Sequence, residues 1–85
     1  ASPDYPLVAR RRGWSGSVTV RMLIDTDGSV ERVTVVRTEG RDVFRKAVLD
    51  VARTWRFAPA MHEGRAVKVW LTQPYRFEMQ NENER

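Results

Sequence analysis

At 85 residues, with 41% hydrophobic and 31% charged side chains, the chain has the make-up of one globular domain with a thin core, because a domain this small buries only roughly 60% of its unfolded surface. Apolar runs such as Met22 to Ile24 are too short to cross a bilayer, and the lack of cysteine excludes disulfides and thiolate metal sites while leaving the redox compartment open. The net charge of +4 favours acidic partners, although apart from Arg10, Arg11 and Arg12 the cations are spread along the chain. The chain opens at Ala1 without an initiator methionine or a signal peptide, so a processed product or a fragment is expected, with any anchor or address upstream.

Taken in chain order, Tyr5 to Arg12 reads as a short helix, with Pro6 in its first turn and Gly13 placed for a left-handed cap. From Ser17 the pattern has period two: Val18, Val20, Met22 and Ile24 point one way, and Thr19, Arg21 and Leu23 the other. The strand ends in Asp25-Thr26-Asp27-Gly28, a hairpin turn whose glycine supplies a positive φ. The next strand, Ser29 to Arg37, carries Val30 at the opposite parity from Val33 and Val35, so a bulge is expected near Glu31 and Arg32.

Asp42 is placed to cap a helix whose stripe is Phe44, Ala47, Val48, Val51 and Trp55, with Lys46, Asp50 and Arg53 opposite. Pro59 forbids much continuation, so the helix is expected to stop near Phe57. Ala60 to Gly64 reads as a loop. A last strand runs from Val67 to Phe77, with Val67, Val69, Leu71, Tyr75 and Phe77 on one face and Lys68 and Trp70 on the other. Pro74 lies within it and cannot donate a ladder hydrogen bond, which makes this an edge strand able to accept another chain. The tail from Gln80 to Arg85 lacks apolar periodicity and reads as loose. The expected fold is α+β: a two-layer domain spanning the chain, with a three-stranded antiparallel sheet packed by one main helix and a short N-terminal helix.

Chemistry for catalysis is scarce. His62 is the only histidine and falls in the expected loop, which gives a nucleophile no base, and no enzyme activity or cofactor is expected. Asp25, Asp27 and Gly28 resemble the start of a calcium loop, but the sixth and twelfth places hold Val30 and Val36 instead of glycine and glutamate, so a solvated turn is preferred. Arg10 to Arg12 beside Trp14 could meet phosphate and a base. A solvated helix end beside an anchoring indole is preferred, because the strands lack exposed aromatic pairs for stacking. Trp55 reads as core.

Tyr5-Pro6, Gly16 to Arg21, Ile24-Asp25 with Asp27-Gly28, and Trp55-Arg56-Phe57-Ala58-Pro59, in this order and over nearly the whole chain, resemble the C-terminal domain of TonB energy transducers. The resemblance implies a periplasmic domain, held to the inner membrane by an N-terminal helix outside this chain and working with the ExbB-ExbD motor. It implies capture of the TonB box of outer-membrane transporters for siderophores, haem or cobalamin as an added strand. The implied receptor is Val67, Lys68, Val69, Trp70, Leu71, Thr72 and Gln73, with contacts around Ser2, Asp4, Tyr5 and Pro6. Better-known members carry glutamines where Ser2, Pro3 and Asp4 stand here. Lys68 and Trp70 either meet the partner or cover the sheet's outer surface, and a blocking proline is expected at Val69 or Val67. The rival readings are a self-associating or cell-wall-binding scaffold that could pair as a homodimer, and a basic nucleic-acid module.

Overall fold

The computed structural model describes residues 3–79; Ser2 and the expected tail, Gln80 to Arg85, lie outside the described residues. The elements are α1 (Leu7–Arg12), β1 (Gly16–Ile24), β2 (Val30–Glu39), α2 (Asp42–Ala52), β3 (Ala60–His62), β4 (Arg65–Val67) and β5 (Val69–Phe77). One antiparallel sheet has the order β2-β1-β5, with α2 packed on β1 and β2, and β3 pairs with β4 in a separate hairpin. This is the expected two-layer α+β arrangement.

The inward row of β1, Val18, Val20, Met22 and Ile24, is buried against Phe44, Val48 and Ala52 of α2. Each such side chain removed from water contributes roughly 1.5–3 kcal/mol, so this seam is the main source of stability. The expected bulge exists: the register passes from Leu23 opposite Arg32 to Ile24 opposite Val30, leaving Glu31 unpaired. A second bulge, unexpected from the sequence, leaves Val36 over between Thr19 opposite Arg37 and Val20 opposite Val35. Val36 is accordingly exposed.

Several boundaries differ from the sequence reading. Helix α1 begins at Leu7, because the Tyr5 ring is drawn into the core, edge-on to Phe44 and Phe77 at 5.8 and 5.6 Å. Helix α2 ends at Ala52, with Arg41 at its N-cap and Asp42 in its first turn. Tight bonds from Thr54 N and Oγ1 to the Val51 carbonyl, 2.9 and 2.7 Å, close its end well before Pro59 acts, so Trp55 is core beyond the helix and not part of its stripe. The expected loop at Ala60 to Gly64 is instead half of the β3-β4 hairpin, whose turn residues Glu63 and Gly64 both have positive φ, 52° and 79°. Two such residues make the turn that matches strand twist.

Past α2, the chain is pinned to the first hairpin. Phe57 N donates to the Gly28 carbonyl at 2.9 Å, and Arg56 bridges Ser29. Gly28 has φ +88°, and a Cβ there would lie 2.0 Å from the Phe57 carbonyl oxygen. Gly28→Ala is therefore expected to cost toward the upper end of roughly 0.5–3 kcal/mol. Gly64→Ala, at φ +79° with open space around it, carries backbone strain alone and is expected to cost less. Denaturant titration of both variants checks the order.

In the same turn, Ser29 donates from Oγ and N to Asp27 Oδ1 at 2.6 and 2.9 Å, and these bonds hold the Asp27 carboxyl below its usual pKa. A carboxyl lowered in the folded state adds stability above its unfolded pKa, and that stability is lost as pH falls through the folded value. Between about pH 5 and about pH 3 the parent is thus expected to lose more stability than Ser29→Ala, as thermal unfolding across that range checks.

Candidate functional site

The hydrogen-bond phase of β1 decides what β5 can offer. Asp25 N donates to Ser29 O at 2.8 Å, which aims the odd positions of β1 at β2 and the even positions at β5. In the β1-β5 register, Ile24, Met22, Val20 and Val18 stand opposite Val69, Leu71, Gln73 and Tyr75. Those odd residues spend both backbone groups on β1. Trp70, Thr72, Pro74 and Arg76 therefore turn their backbone groups outward. Pro74 agrees with this phase, because opposite Thr19 it has no N–H to give.

The outward row at the Val69 end consists of the N–H and C=O of Trp70 and of Thr72. The next carbonyl, that of Pro74, already accepts a bond of 3.1 Å from Gln73 Nε2, so the usable ladder ends there. The other sheet edge, β2, is broken by the bulges at Glu31 and Val36, whereas β5 pairs with β1 over nine consecutive positions without a shift. Bulges twist an edge away from new partners, so β5 is the edge suited to strand addition.

The sequence-predicted site residues separate into groups. Val67 belongs to β4, paired with Ala60, and lies outside the main sheet. The expected strand from Val67 is thus broken at Lys68. The Lys68 ammonium pairs with Glu31 Oε1 of β2 at 2.8 Å, spanning β1, and that carboxylate raises its pKa. Trp70 is 43% exposed on the outer face of the sheet, with the Arg21 guanidinium 4.1 Å from its ring centroid. Both side chains lie on the outer face of the sheet. Val69, Leu71 and Gln73 face the helix layer, and proline at Val69 or Val67 would not touch an outward N–H. The parity of the expected blocking proline was off by one residue.

Asp4, Tyr5 and Pro6 are not brought to this ladder. Tyr5 packs at the Phe77 end of β5, five residues from Thr72, or roughly 16 Å at about 3.3 Å per residue. Its hydroxyl donates to the Trp14 carbonyl, and Asp4 and Pro6 line a hollow against Val43, Ala47 and Val51 of α2. His62 lies exposed on β3 beside Glu63, at 3.3 Å. Asp25 Oδ1 accepts from Thr26 N at 2.7 Å, and Asp27 is engaged by Ser29, so both turn carboxylates hold the turn itself.

A feature absent from the sequence reading adjoins the ladder. The inner face of β5 is roofed by the segment after α2, where Trp55 stacks on Tyr75 with centroids 5.8 Å apart and Phe57 meets Trp55 edge-on at 6.4 Å. Between roof and strand is a cleft of about 270 Å³ lined by Trp55, Arg56, Phe57, Gln73 and Tyr75. Its sequence signal is the set of aromatic residues at positions 55, 57 and 75, of which the sequence reading assigns only Trp55 to the core.

A family model for the Gram-negative bacterial TonB protein C-terminal matches residues 1–79. The chain is 32% identical over 78 residues to protein tonB2 of Pseudomonas aeruginosa and 27% identical over 78 residues to protein TonB of Vibrio cholerae, covering 92% of this chain in each case. It spans 29% and 32% of the length of those two relatives. Among solved structures, it superposes on the solution structure of the Pseudomonas aeruginosa TonB C-terminal domain with a TM-score of 0.82 at 28% identity, covering 96% of this chain and 83% of that one. The tonB2 protein of Vibrio anguillarum gives 0.74 at 27% identity, covering 94% and 76%.

The outward phase of Trp70 and Thr72 sets a direct test of the edge. Leu71→Pro removes a bond to Met22 and leaves its carbonyl unpaired, an expected loss of about 1–3 kcal/mol. Thr72→Pro removes only an outward N–H and is expected to cost about 1 kcal/mol or less. Amide hydrogen exchange should find Trp70 and Thr72 fast between protected Val69, Leu71 and Gln73; protection in the reverse order would contradict the phase.

Proposed function

The chain belongs to the family of Gram-negative bacterial TonB protein C-terminal domains, and on that footing we propose that it is the receptor domain of a TonB-type energy transducer, taking the TonB box of an outer-membrane transporter as a fourth strand on β5. The family is not an enzymatic one. The domain would work in the periplasm, joined through chain outside this sequence to an inner-membrane anchor and the ExbB-ExbD motor. Its cargo would be that of its transporter: siderophores, haem or cobalamin.

The observation that carries the reading is an unbulged edge strand whose Trp70 and Thr72 groups face outward beside a bulged opposite edge. Strand addition satisfies those groups regardless of the guest's side chains. Four such bonds net only about 2–6 kcal/mol, at about 0.5–1.5 each, against an association cost estimated at about 4–15 kcal/mol. The backbone ladder supplies register, and side-chain contacts must supply the rest. A pull along the strand loads the bonds together, whereas a pull across it opens them one at a time.

An amide NMR titration with a synthetic TonB-box peptide tests the reading. Shifts are expected along Trp70 to Gln73 and are expected to vanish in Thr72→Pro while that variant stays folded. Shifts confined to Arg10 to Trp14, or unchanged binding by Thr72→Pro, would overturn it. The same edge is open to its own copy, so light scattering should show whether any self-association is competed away by the peptide.

A further inference from the structure

We infer that the cleft between the Trp55–Phe57 roof and β5 is an anchor pocket for one apolar side chain of the added strand, at the guest position opposite Gln73. This rests on the strand addition proposed above. Residues directly opposite each other on adjacent strands share a face. Guest residues opposite Trp70 and Thr72 therefore point to the outer face, and those opposite Leu71 and Gln73 point to the helix layer. The cleft opens on that layer and takes Gln73 and Tyr75 as its strand-side wall.

The pocket is formed before a guest arrives. Helix α2 stops at Ala52, so it leaves the inner face of β5 to the Trp55–Phe57 segment. That segment is held in place by the bond from Phe57 N to Gly28 O and by the Trp55–Tyr75 stack. The Gln73 side-chain amide is turned to the Pro74 carbonyl, where it finds a partner without needing the guest. What remains for an occupant is mainly aromatic surface, which favours a branched aliphatic or aromatic side chain and disfavours a charged one that would lose its water there.

Arg56 adds a selection by charge. It lines the cleft, and it closes no ion pair among the described residues. A guest ammonium or guanidinium at the mouth would be repelled, and a guest carboxylate near the anchor would be attracted, more so at low salt. The preferred partner is thus an extended segment with one apolar inward residue and an acidic neighbour.

The test is isothermal titration of the domain with the TonB-box peptide and with a set in which each residue in turn is replaced by alanine, then by lysine. One inward position is expected to lose about tenfold in affinity on replacement by alanine and more on replacement by lysine, while outward positions change by about twofold or less. Phe57→Ala should bind the parent and that alanine peptide within about twofold of each other. Should Phe57→Ala fail to fold, Gln73→Trp, which fills the cleft from the strand side, is expected to abolish the same preference. If the peptide shifts Trp70 to Gln73 amides but every alanine peptide binds within about twofold, the anchor pocket is overturned and strand addition stands. If the peptide leaves those amides unmoved, both are overturned.

Discussion

Pro74 has no N–H, and that missing donor constrains the whole edge. Standing opposite Thr19, it can only occupy a place where the ladder asks nothing of the strand, so the even residues of β5 face outward and the odd ones are committed to β1. The same phase turns Leu71, Gln73, Tyr75 and Phe77 toward the helix layer and Trp70, Thr72 and Arg76 toward the outer face. Outward-facing and sheet-committed backbone groups thereby alternate along one strand. The odd residues hold the strand in the sheet, and the even ones leave its backbone free.

The arrangement needs β1 at the centre. Its inward valines, Met22 and Ile24 are buried, and its backbone is used on both sides, so neither neighbour can be lost without exposing the seam with α2. The two neighbours differ in how they finish the sheet. Strand β2 spends two residues on bulges, which twist its free edge, while β5 stays regular. One edge is closed to added strands by geometry, and the other is left open but cut short by the Gln73 bond to Pro74.

Much of this was legible in the residues because the physics is local. Period-two burial of Val18, Val20, Met22 and Ile24, the parity break at Val30 and the edge meaning of Pro74 each follow from one pleated strand. The phase of the outward groups was legible as well, since Pro74 and Thr72 share parity, yet the expected blocking position, Val69 or Val67, has the other parity. The rest was hidden either by competing local signals or by contacts distant in sequence. The end of α2 is set by Thr54 closing onto Val51, which competes with a pattern that would carry the helix to Trp55. The roof over β5 exists because Phe57 docks on Gly28, a contact between a hairpin turn and a segment 29 residues later in the sequence. Glu63-Gly64 lacks the asparagine or aspartate usual in such a turn, so the short β3-β4 hairpin looked like loop.

Under load, the division of labour along β5 has a mechanical consequence. The strand is held to β1 by five pairs that exchange bonds on both sides, at Val69, Leu71, Gln73, Tyr75 and Phe77. An added strand would have only the groups of Trp70 and Thr72, plus whatever its side chains find in the aromatic cleft. Pulled along their common axis, the guest's interface has fewer bonds to break than the host's, so the guest leaves before the sheet opens. Aromatic stacking by Tyr75 on Trp55 and by Phe77 on Phe44, at 4.7 Å for the latter pair, reinforces the host side without strengthening the ladder on the guest side. A domain holding a guest strand this way would return to the same fold after each release, because the weakest joint along the line of force would lie between the two chains and not within this one.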